Sequence, residues 1–164
     1  MEGVPIRPAR RGDVPSLHAL WQAMLAEHAR LDARLATHPE APTWMATQLG
    51  QAVADPHRLV LVAEEGARLV IGFVSARILP FTGAPGEQRE AEIAECFVAP
   101  ARRRRGIARR LVQRVLDMLD ERRIAAVRIQ VAAQNPGALA FWRSLDFEVV
   151  ETILERPQPP SAGA

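Results

Sequence analysis

The sequence predicts a mixed α/β (α+β) domain in which a mostly antiparallel central sheet of about six strands is flanked by helices. The predicted order is β-α-α-β-β-β-α-β-α-β. Three strand-like segments follow one another between residues 58 and 98, as in an antiparallel meander. Beyond residue 98 strands alternate with helices, which requires parallel or mixed pairing. The 164 residues suit one domain, which we assign to residues 1–156, with 157–164 as a disordered tail.

The N-terminal part is predicted to contain one strand and two helices. A short strand covers Ile6–Ala9, and Asp13 as N-cap with Pro15 in the first turn begins the first helix. Its apolar residues keep helical spacing. These are Leu17, Leu20, Trp21, Met24, Leu25 and Leu31. After a proline-containing break at residues 37–42, a second helix is predicted over Thr43–Ala54.

The middle of the chain reads as three consecutive strands. Arg58–Ala63 and Arg68–Leu79 are joined by a short turn that contains Gly66, so they form an antiparallel hairpin. A loop rich in proline and glycine follows. The third strand, Glu90–Val98, ends before Pro100, which cannot donate a backbone hydrogen bond to a sheet.

The C-terminal part alternates helices and strands. Gly106–Glu121 is an amphipathic helix, and the apolar run Ala125–Ala133 predicts a strand buried on both sides. Asn135 as N-cap, followed by proline, begins a helix that reaches about Leu145. A last strand is predicted over Phe147–Glu155.

The composition excludes several kinds of chemistry. All 21 basic residues are Arg, Tyr is absent and Cys96 is the single cysteine. Without Lys there is no Schiff base, no pyridoxal-phosphate attachment and no Walker-type phosphate loop. One cysteine and four histidines that form neither an H-x-x-x-H nor an H-E-x-x-H motif predict neither a disulfide nor a metal site. No segment has the apolar length of a signal peptide core or a membrane span, so we expect a cytoplasmic protein without a membrane partner.

The positive charge is concentrated in one segment. Seven Arg lie between residues 102 and 114, and since the whole chain carries +2, the remaining residues carry −5. This basic loop begins a helix through Gly106, where free N–H groups and the helix dipole favour a phosphate. A solvated helix start and a nucleic-acid surface are the alternatives. The acidic remainder and an aromatic content of 5% argue against nucleic acid.

Two motifs resemble those of the GCN5-related N-acetyltransferase (GNAT) superfamily. Arg103-Arg104-Arg105-Gly106-Ile107-Ala108 is similar to motif A, [Q/R]-x-x-G-x-[G/A]. The segment from Asn135 to Phe147 resembles motif B, N-x-x-A-x-x-(L/F)-Y-x-x-x-G-F. The predicted element order also matches that family, and the resemblance spans residues 6–155.

The resemblance implies acetyl transfer from acetyl-CoA to the primary amine of a small molecule or peptide, by direct attack in a ternary complex. The pyrophosphate would lie on the backbone N–H groups of residues 104–108. A bulge would splay the third meander strand from its neighbour, and the N–H of Val98 would stabilise the developing oxyanion. The residues expected to border the cofactor are Cys96, Phe97, Val98, Arg103, Arg104, Arg105, Gly106, Ile107, Ala108, Arg109, Asn135, Phe141 and Trp142.

The mechanism needs a base, because an amine is protonated at neutral pH. The resemblance favours Glu92, six residues before Val98, and leaves Glu95 as the second candidate. Strand alternation puts these two side chains on opposite faces unless a bulge shifts the register. Surface acids on the polar side of a strand are the alternative for both.

The chain departs from the family pattern at two motif B positions. Trp142 replaces the Tyr that protonates the leaving thiolate in many members, and Asp146 replaces a Gly. The missing Tyr makes a catalytically weak acyl-CoA sensor the alternative function. Acceptor-binding candidates are Trp21, Glu27, Trp44 and Phe81, although packing and solvent exposure explain each equally well. A last strand without a neighbour would leave an edge that a second subunit could cover as a homodimer.

Overall fold

The computed structural model describes residues 3–36 and 41–156, without the side chains of 41–43. The predicted tail at 157–164 and most of the break at 37–42 lie outside these residues. The strands are β1 (Ile6–Pro8), β2 (Arg58–Glu65), β3 (Leu69–Ile78), β4 (Glu90–Val98) and β5 (Ala126–Ile129). The α-helices are α1 (Val14–Leu31), α2 (Ala41–Ala54), α3 (Ile107–Glu121) and α4 (Pro136–Arg143). Short 3-10 helices cover Arg11–Asp13, Ala33–Leu35 and Pro100–Arg102.

The strands form one open sheet in the order β1-β2-β3-β4-β5. The first three pairings are antiparallel, and only β4 and β5 run parallel. The expected mixed, mostly antiparallel sheet is therefore confirmed. β4 and β5 are parallel because the chain crosses over through α3 between them. This crossover brings the chain back to the end of the sheet at which β4 begins, so β5 runs in the same direction.

The hydrophobic core has two halves, one on each face of the sheet. On one face α3 buries Ile107, Leu111, Val112, Val115 and Leu119 against β2, β3 and β4. These residues recur every three or four positions, so they form one stripe along the helix. On the other face α1 and α2 pack Leu17, Trp21, Met24, Leu49 and Ala52 against Val60, Phe73 and Phe97. Within the described residues no helix is both long and apolar enough to cross a membrane.

The predicted last strand is wrong. Residues 147–156 belong to no helix or strand, and Val150 and Leu154 are 79% and 90% exposed. The sequence there has the composition of a strand, but a strand also needs a neighbour that supplies backbone hydrogen bonds. The described sheet therefore has five strands rather than six.

The strand predicted at Ala125–Ala133 is confirmed only in part. It pairs over Ala126–Ile129, and its residues are half-buried or exposed rather than buried on both sides. Pairing with β4 ends at the Ile93–Ile129 pair, and beyond this pair the two strands separate. That separation creates the cleft described below.

Candidate active site

A β-bulge in β4 decides which way its acidic side chains point. Ala76 is paired with Ile93 but Ser75 is paired with Glu95, so Ala94 is the extra residue. The extra residue reverses the strand's alternation beyond it. Glu92 and Glu95 therefore share one face, on the side of α1 and α2. Strict alternation would have turned Glu95 toward the α3 side.

The bulge and the end of β5 leave backbone groups of β4 unpaired. The N–H of Ala99 donates to the carbonyl of Ile71 at 2.9 Å, which makes these two residues a hydrogen-bonded pair. Antiparallel pairs alternate, so the N–H groups of Val98 and Cys96 point away from β3. Pairing with β5 stops at Ile93, and within the described residues no strand covers this stretch of β4.

A cleft of about 1110 Å³ occupies the space between the separated strands. Its walls are β4 from Ala94 to Val98, residues 129–132 at the end of β5 and just beyond it, the start of α3, α4 and one side of α1. This cleft volume is slightly larger than that of most small-molecule sites, so the cleft can hold a long, thin ligand.

One end of the cleft is the N-terminus of α3. Gly106 precedes the helix with φ +73°, and the first intrahelical bond joins the Arg110 N–H to the Gly106 carbonyl at 3.1 Å. Gly106, the N-cap residue, has no side chain that could cap this end. The N–H groups of Ile107, Ala108 and Arg109 thus lack an intrahelical acceptor and can donate to a ligand, which makes them a candidate anion site.

Most arginines of the basic segment already have partners. Arg102 and Arg105 pair with Glu65 at 2.6 and 3.7 Å. Arg109 donates to the carbonyl and hydroxyl of Ser144, which ties α3 to the end of α4. Arg104 adopts a left-handed backbone with φ +64°. The anion site is therefore built more from backbone N–H groups than from a free arginine cluster.

Arg103 is held at three points. Its Nε donates to the Val98 carbonyl at 2.9 Å, and its Nη2 donates to both oxygens of Glu27 at 2.8 and 2.9 Å. Its guanidinium carbon lies 5.0 Å from the centre of the Phe97 ring, within range of a cation–π contact. Arg103 thereby connects the loop before α3 with β4 and with α1.

Glu95 lines the cleft and is half-buried. Burial raises the pKa of its carboxyl, although a hydrogen bond from the Ser75 hydroxyl and the charges of Arg58 and Arg77 oppose the increase. Glu92 lies on the same face but does not line the cleft, and its carboxylate forms an ion pair with Arg77 at 2.6 Å. Of the two predicted bases, the geometry favours Glu95.

The three motif B residues predicted to border the cofactor, Asn135, Phe141 and Trp142, all line the opposite wall. The Asn135 side chain accepts a hydrogen bond from the Ala138 N–H at 3.0 Å, so it caps α4. Trp142 is 7% exposed and makes edge contacts with the rings of Phe141 and Phe147. Trp142 is thus mainly a core residue, and Phe141 is the more accessible aromatic beside the cleft.

The four acceptor-binding candidates do not come together. Trp21 is 4% exposed inside the core and does not line the cleft. Trp44 and Phe81 are exposed but do not line the cleft. Glu27 lines it, paired with Arg103.

Sequence reasoning missed Ser75 and the cleft wall at residues 130–132. Ser75 is the partner of Glu95, and its signal was a single hydroxyl inside the otherwise apolar run from Leu69 to Ala76. The wall could not be found, because the point at which β5 leaves β4 depends on tertiary structure.

Known proteins resemble this chain in sequence and in fold. The profile of the acetyltransferase (GNAT) family matches residues 19–147. The N-alpha-acetyltransferase RimI of Mycobacterium tuberculosis is 31% identical over 139 residues, covering 82% of this chain and 79% of the relative.

Two solved structures share the fold. A variant of the BH1408 protein from Bacillus halodurans superposes with a TM-score of 0.84 at 20% identity, covering 94% of this chain and 99% of the other. The aminoglycoside N-acetyltransferase AAC(6')-Iy in complex with CoA superposes with a TM-score of 0.72 at 17% identity, with 95% of each chain covered. The chain belongs to the acetyltransferase (GNAT) family and is an acyl-CoA-dependent N-acyltransferase.

Proposed function

We propose that this protein transfers an acetyl group from acetyl-CoA to a primary amine of a small molecule or peptide, by direct attack in a ternary complex. The observation that carries the proposal is one cleft that holds a half-buried carboxylate, Glu95, together with two kinds of open backbone N–H. One kind, at the start of α3, suits a pyrophosphate. The other, along β4, suits an amide and a thioester.

The pyrophosphate of acetyl-CoA would bind at the anion site formed by the N–H groups of Ile107, Ala108 and Arg109. Gly106 allows the turn before them, since its left-handed φ of +73° strains any residue with a Cβ. Arg103 and Arg104 would add positive charge beside this site, and Arg103 keeps its place through Val98 and Glu27.

The thioester would lie against the open edge of β4. The N–H of Val98 points into the cleft and can donate to the oxygen that becomes negative when the amine attacks the thioester carbonyl. A fixed donor in a site that excludes water contributes about 3 kcal/mol to such a step. The N–H of Cys96, two residues earlier, can bind an amide carbonyl of the cofactor arm.

Glu95 would act as the base. Its ionised carboxylate takes one proton from the acceptor's ammonium group, and the neutral nitrogen then attacks the acetyl carbon. The new C–N bond replaces the C–S bond, the sulfur leaves with the electron pair, and the acylated nitrogen releases its second proton to solvent or to the thiolate. A base with a raised pKa is better matched to this transfer near neutral pH than an ordinary glutamate.

No side-chain acid is assigned to the leaving sulfur. Trp142 occupies the position of the family's Tyr, and its indole N–H does not release a proton at neutral pH. A thiolate is a stable enough leaving group for its protonation by solvent to follow the transfer.

We also propose a homodimer formed through residues 148–155. Val149, Val150, Ile153 and Leu154 are between 61% and 90% exposed, and β5 is paired on one side only within the described sheet. Covering these apolar side chains with a second copy would remove them from water. An elution volume and a light-scattering mass of a monomer at micromolar concentration would contradict this part of the proposal.

The experiment has a binding arm and a transfer arm. Thermal unfolding with increasing acetyl-CoA should show a rising midpoint. Thiol release should then be measured with a panel of amines that includes a peptide N-terminus and an aminoglycoside, with product masses recorded. Because the chain has no Lys, none of its own side chains offers a primary amine as acceptor. The Glu95→Gln variant is the matched control, since it should keep the thermal shift and lose thiol release. No thermal shift at millimolar acetyl-CoA would overturn the proposal.

A further inference from the structure

We propose that Ser75 is a positioning residue for acetyl transfer: its hydroxyl holds one oxygen of the Glu95 carboxylate and thereby sets the direction and the ionisation of the base. This inference rests on the proposed function, in which Glu95 takes the proton.

The bulge at Ala94 creates the pair. Because of it, Ser75 and Glu95 lie directly opposite each other on neighbouring antiparallel strands. Directly opposite Cβ atoms are about 5 Å apart, which suits a short serine and a glutamate that bends back toward it. Without the bulge, Ser75 would face Ala94, and the glutamate would lie on the other side of the sheet.

The hydrogen bond occupies only one side of the carboxylate. The Ser75 hydroxyl donates to Oε2 of Glu95, and within the described residues no other hydrogen bond to that carboxylate is found. Oε1 therefore stays available to take a proton from the acceptor. A glutamate side chain has three rotatable bonds, so a fixed Oε2 restricts where Oε1 can point.

The Ser75 hydroxyl lies among apolar side chains. On the same sheet face Ser75 is next to Val60, Phe73 and Phe97, which are 7%, 0% and 6% exposed. Apolar neighbours offer no hydrogen bond that could replace the serine, and burial penalises the ionised carboxylate. The hydroxyl opposes that penalty, because it stabilises the charged form.

Other charges also act on Glu95 and must be kept constant in a test. Arg58 on β2 and Arg77 on β3 favour its ionised form, whereas Glu92 on β4 disfavours it. From α1, Glu27 and His28 line the same cleft. Substitutions at Ser75 leave all five groups in place.

The test compares Ser75→Ala, Ser75→Thr and Ser75→Val. Threonine and valine have nearly the same shape and both favour strands, but only threonine keeps the hydroxyl. The pKa of Glu95 is measured by NMR on protein labelled with ¹³C at glutamate Cδ, with the signal assigned from Glu95→Gln. We expect the pKa to rise by about one unit in the Ala and Val variants and to stay near the wild-type value in the Thr variant. The acid limb of kcat/KM should move in the same direction.

The outcomes separate the two proposals. The NMR titration needs no substrate, so an unchanged Glu95 pKa in both folded Ser75→Ala and Ser75→Val overturns the role of Ser75. A pKa increase that Ser75→Thr shares also overturns it, because the hydroxyl would then not be the cause. Absence of acetyl transfer by the wild-type protein with the whole amine panel would instead overturn the proposed function.

Discussion

Arg103 donates two hydrogen bonds to the carboxylate of Glu27, which lies 76 residues earlier on α1. The same guanidinium also donates to the Val98 carbonyl on β4. One side chain thus fixes the loop before α3 relative to the strand and the helix that border the cleft. The side chains of Arg103 and Glu27 are 40% and 31% exposed, so the ion pair itself contributes only about 0–1 kcal/mol to stability.

The first prediction concerns Arg103. Replacing it with Ala should weaken CoA binding about tenfold, because a cation beside the pyrophosphate is lost together with its contacts to Val98 and Glu27. Isothermal titration at two salt concentrations measures this. The control is Glu27→Gln, which removes the neutralising carboxylate and should leave binding unchanged or tighter. Equal weakening in both variants would show that Arg103 acts only through the ion pair.

The second prediction separates the two candidate bases. Glu95→Gln should lower kcat/KM about 100-fold near neutral pH, whereas Glu92→Gln, whose carboxylate is paired with Arg77 outside the cleft, should change it less than about threefold. The Glu95→Gln rate should recover as pH rises, because the amine then loses its proton without help. A larger loss for Glu92→Gln would reassign the base.

The third prediction is a gain in stability. Burial raises the pKa of Glu95 in the folded protein above its unfolded value, so folding favours the protonated form. The associated penalty is absent below the unfolded pKa of about 4, grows as pH rises from there to the folded pKa, and is constant at higher pH. Glu95→Gln should therefore raise the free energy of unfolding at pH 8 but not at pH 4. Urea unfolding at both values is the measurement, and an equal effect at the two would contradict the linkage.

The fourth prediction addresses an acyl-cysteine intermediate. Burial raises the pKa of the Cys96 thiol to about 12, so almost no thiolate is present at neutral pH. Cys96→Ala keeps the backbone N–H and should keep kcat/KM within about threefold. Mass spectrometry after mixing with acetyl-CoA alone should show no acetylated wild-type protein at this residue. Loss of activity with retained CoA binding would favour a covalent route.

The fifth prediction concerns the end of α4. Asp146 has φ +64°, and the next N–H, that of Phe147, bonds to the Trp142 carbonyl at 3.2 Å, which is the pattern of a Schellman motif. Glycine adopts this φ without strain, so Asp146→Gly should stabilise the protein by about 0.5–1 kcal/mol. The comparison variant Asp146→Ala should be less stable than the wild type. Thermal unfolding midpoints rank the wild type and the two variants by stability. A midpoint of Asp146→Gly lower than that of the wild type would show that the Asp146 carboxylate stabilises the protein by more than the backbone strain destabilises it.

The sequence by itself determined the local features of this protein. The apolar stripe of α3, the Asn135 cap of α4 and the uncapped anion site behind Gly106 all follow from residues within one or two turns of each other. Hydrogen bonds and side-chain contacts of that range are encoded in neighbouring positions, so spacing predicts them. The family motifs lie on these same segments.

Only the tertiary structure decided how distant residues combine. The bulge at Ala94 turns Glu95 to the face of Ser75, the separation of β5 from β4 opens the cleft, and Trp21 is buried beneath the sheet. Strand register has a period of two, so one extra residue reverses every later side chain, and spacing alone cannot locate that residue. For the same reason residues 147–155 have the composition of a strand but no strand in the described fold, because pairing depends on a neighbour and not on the segment itself.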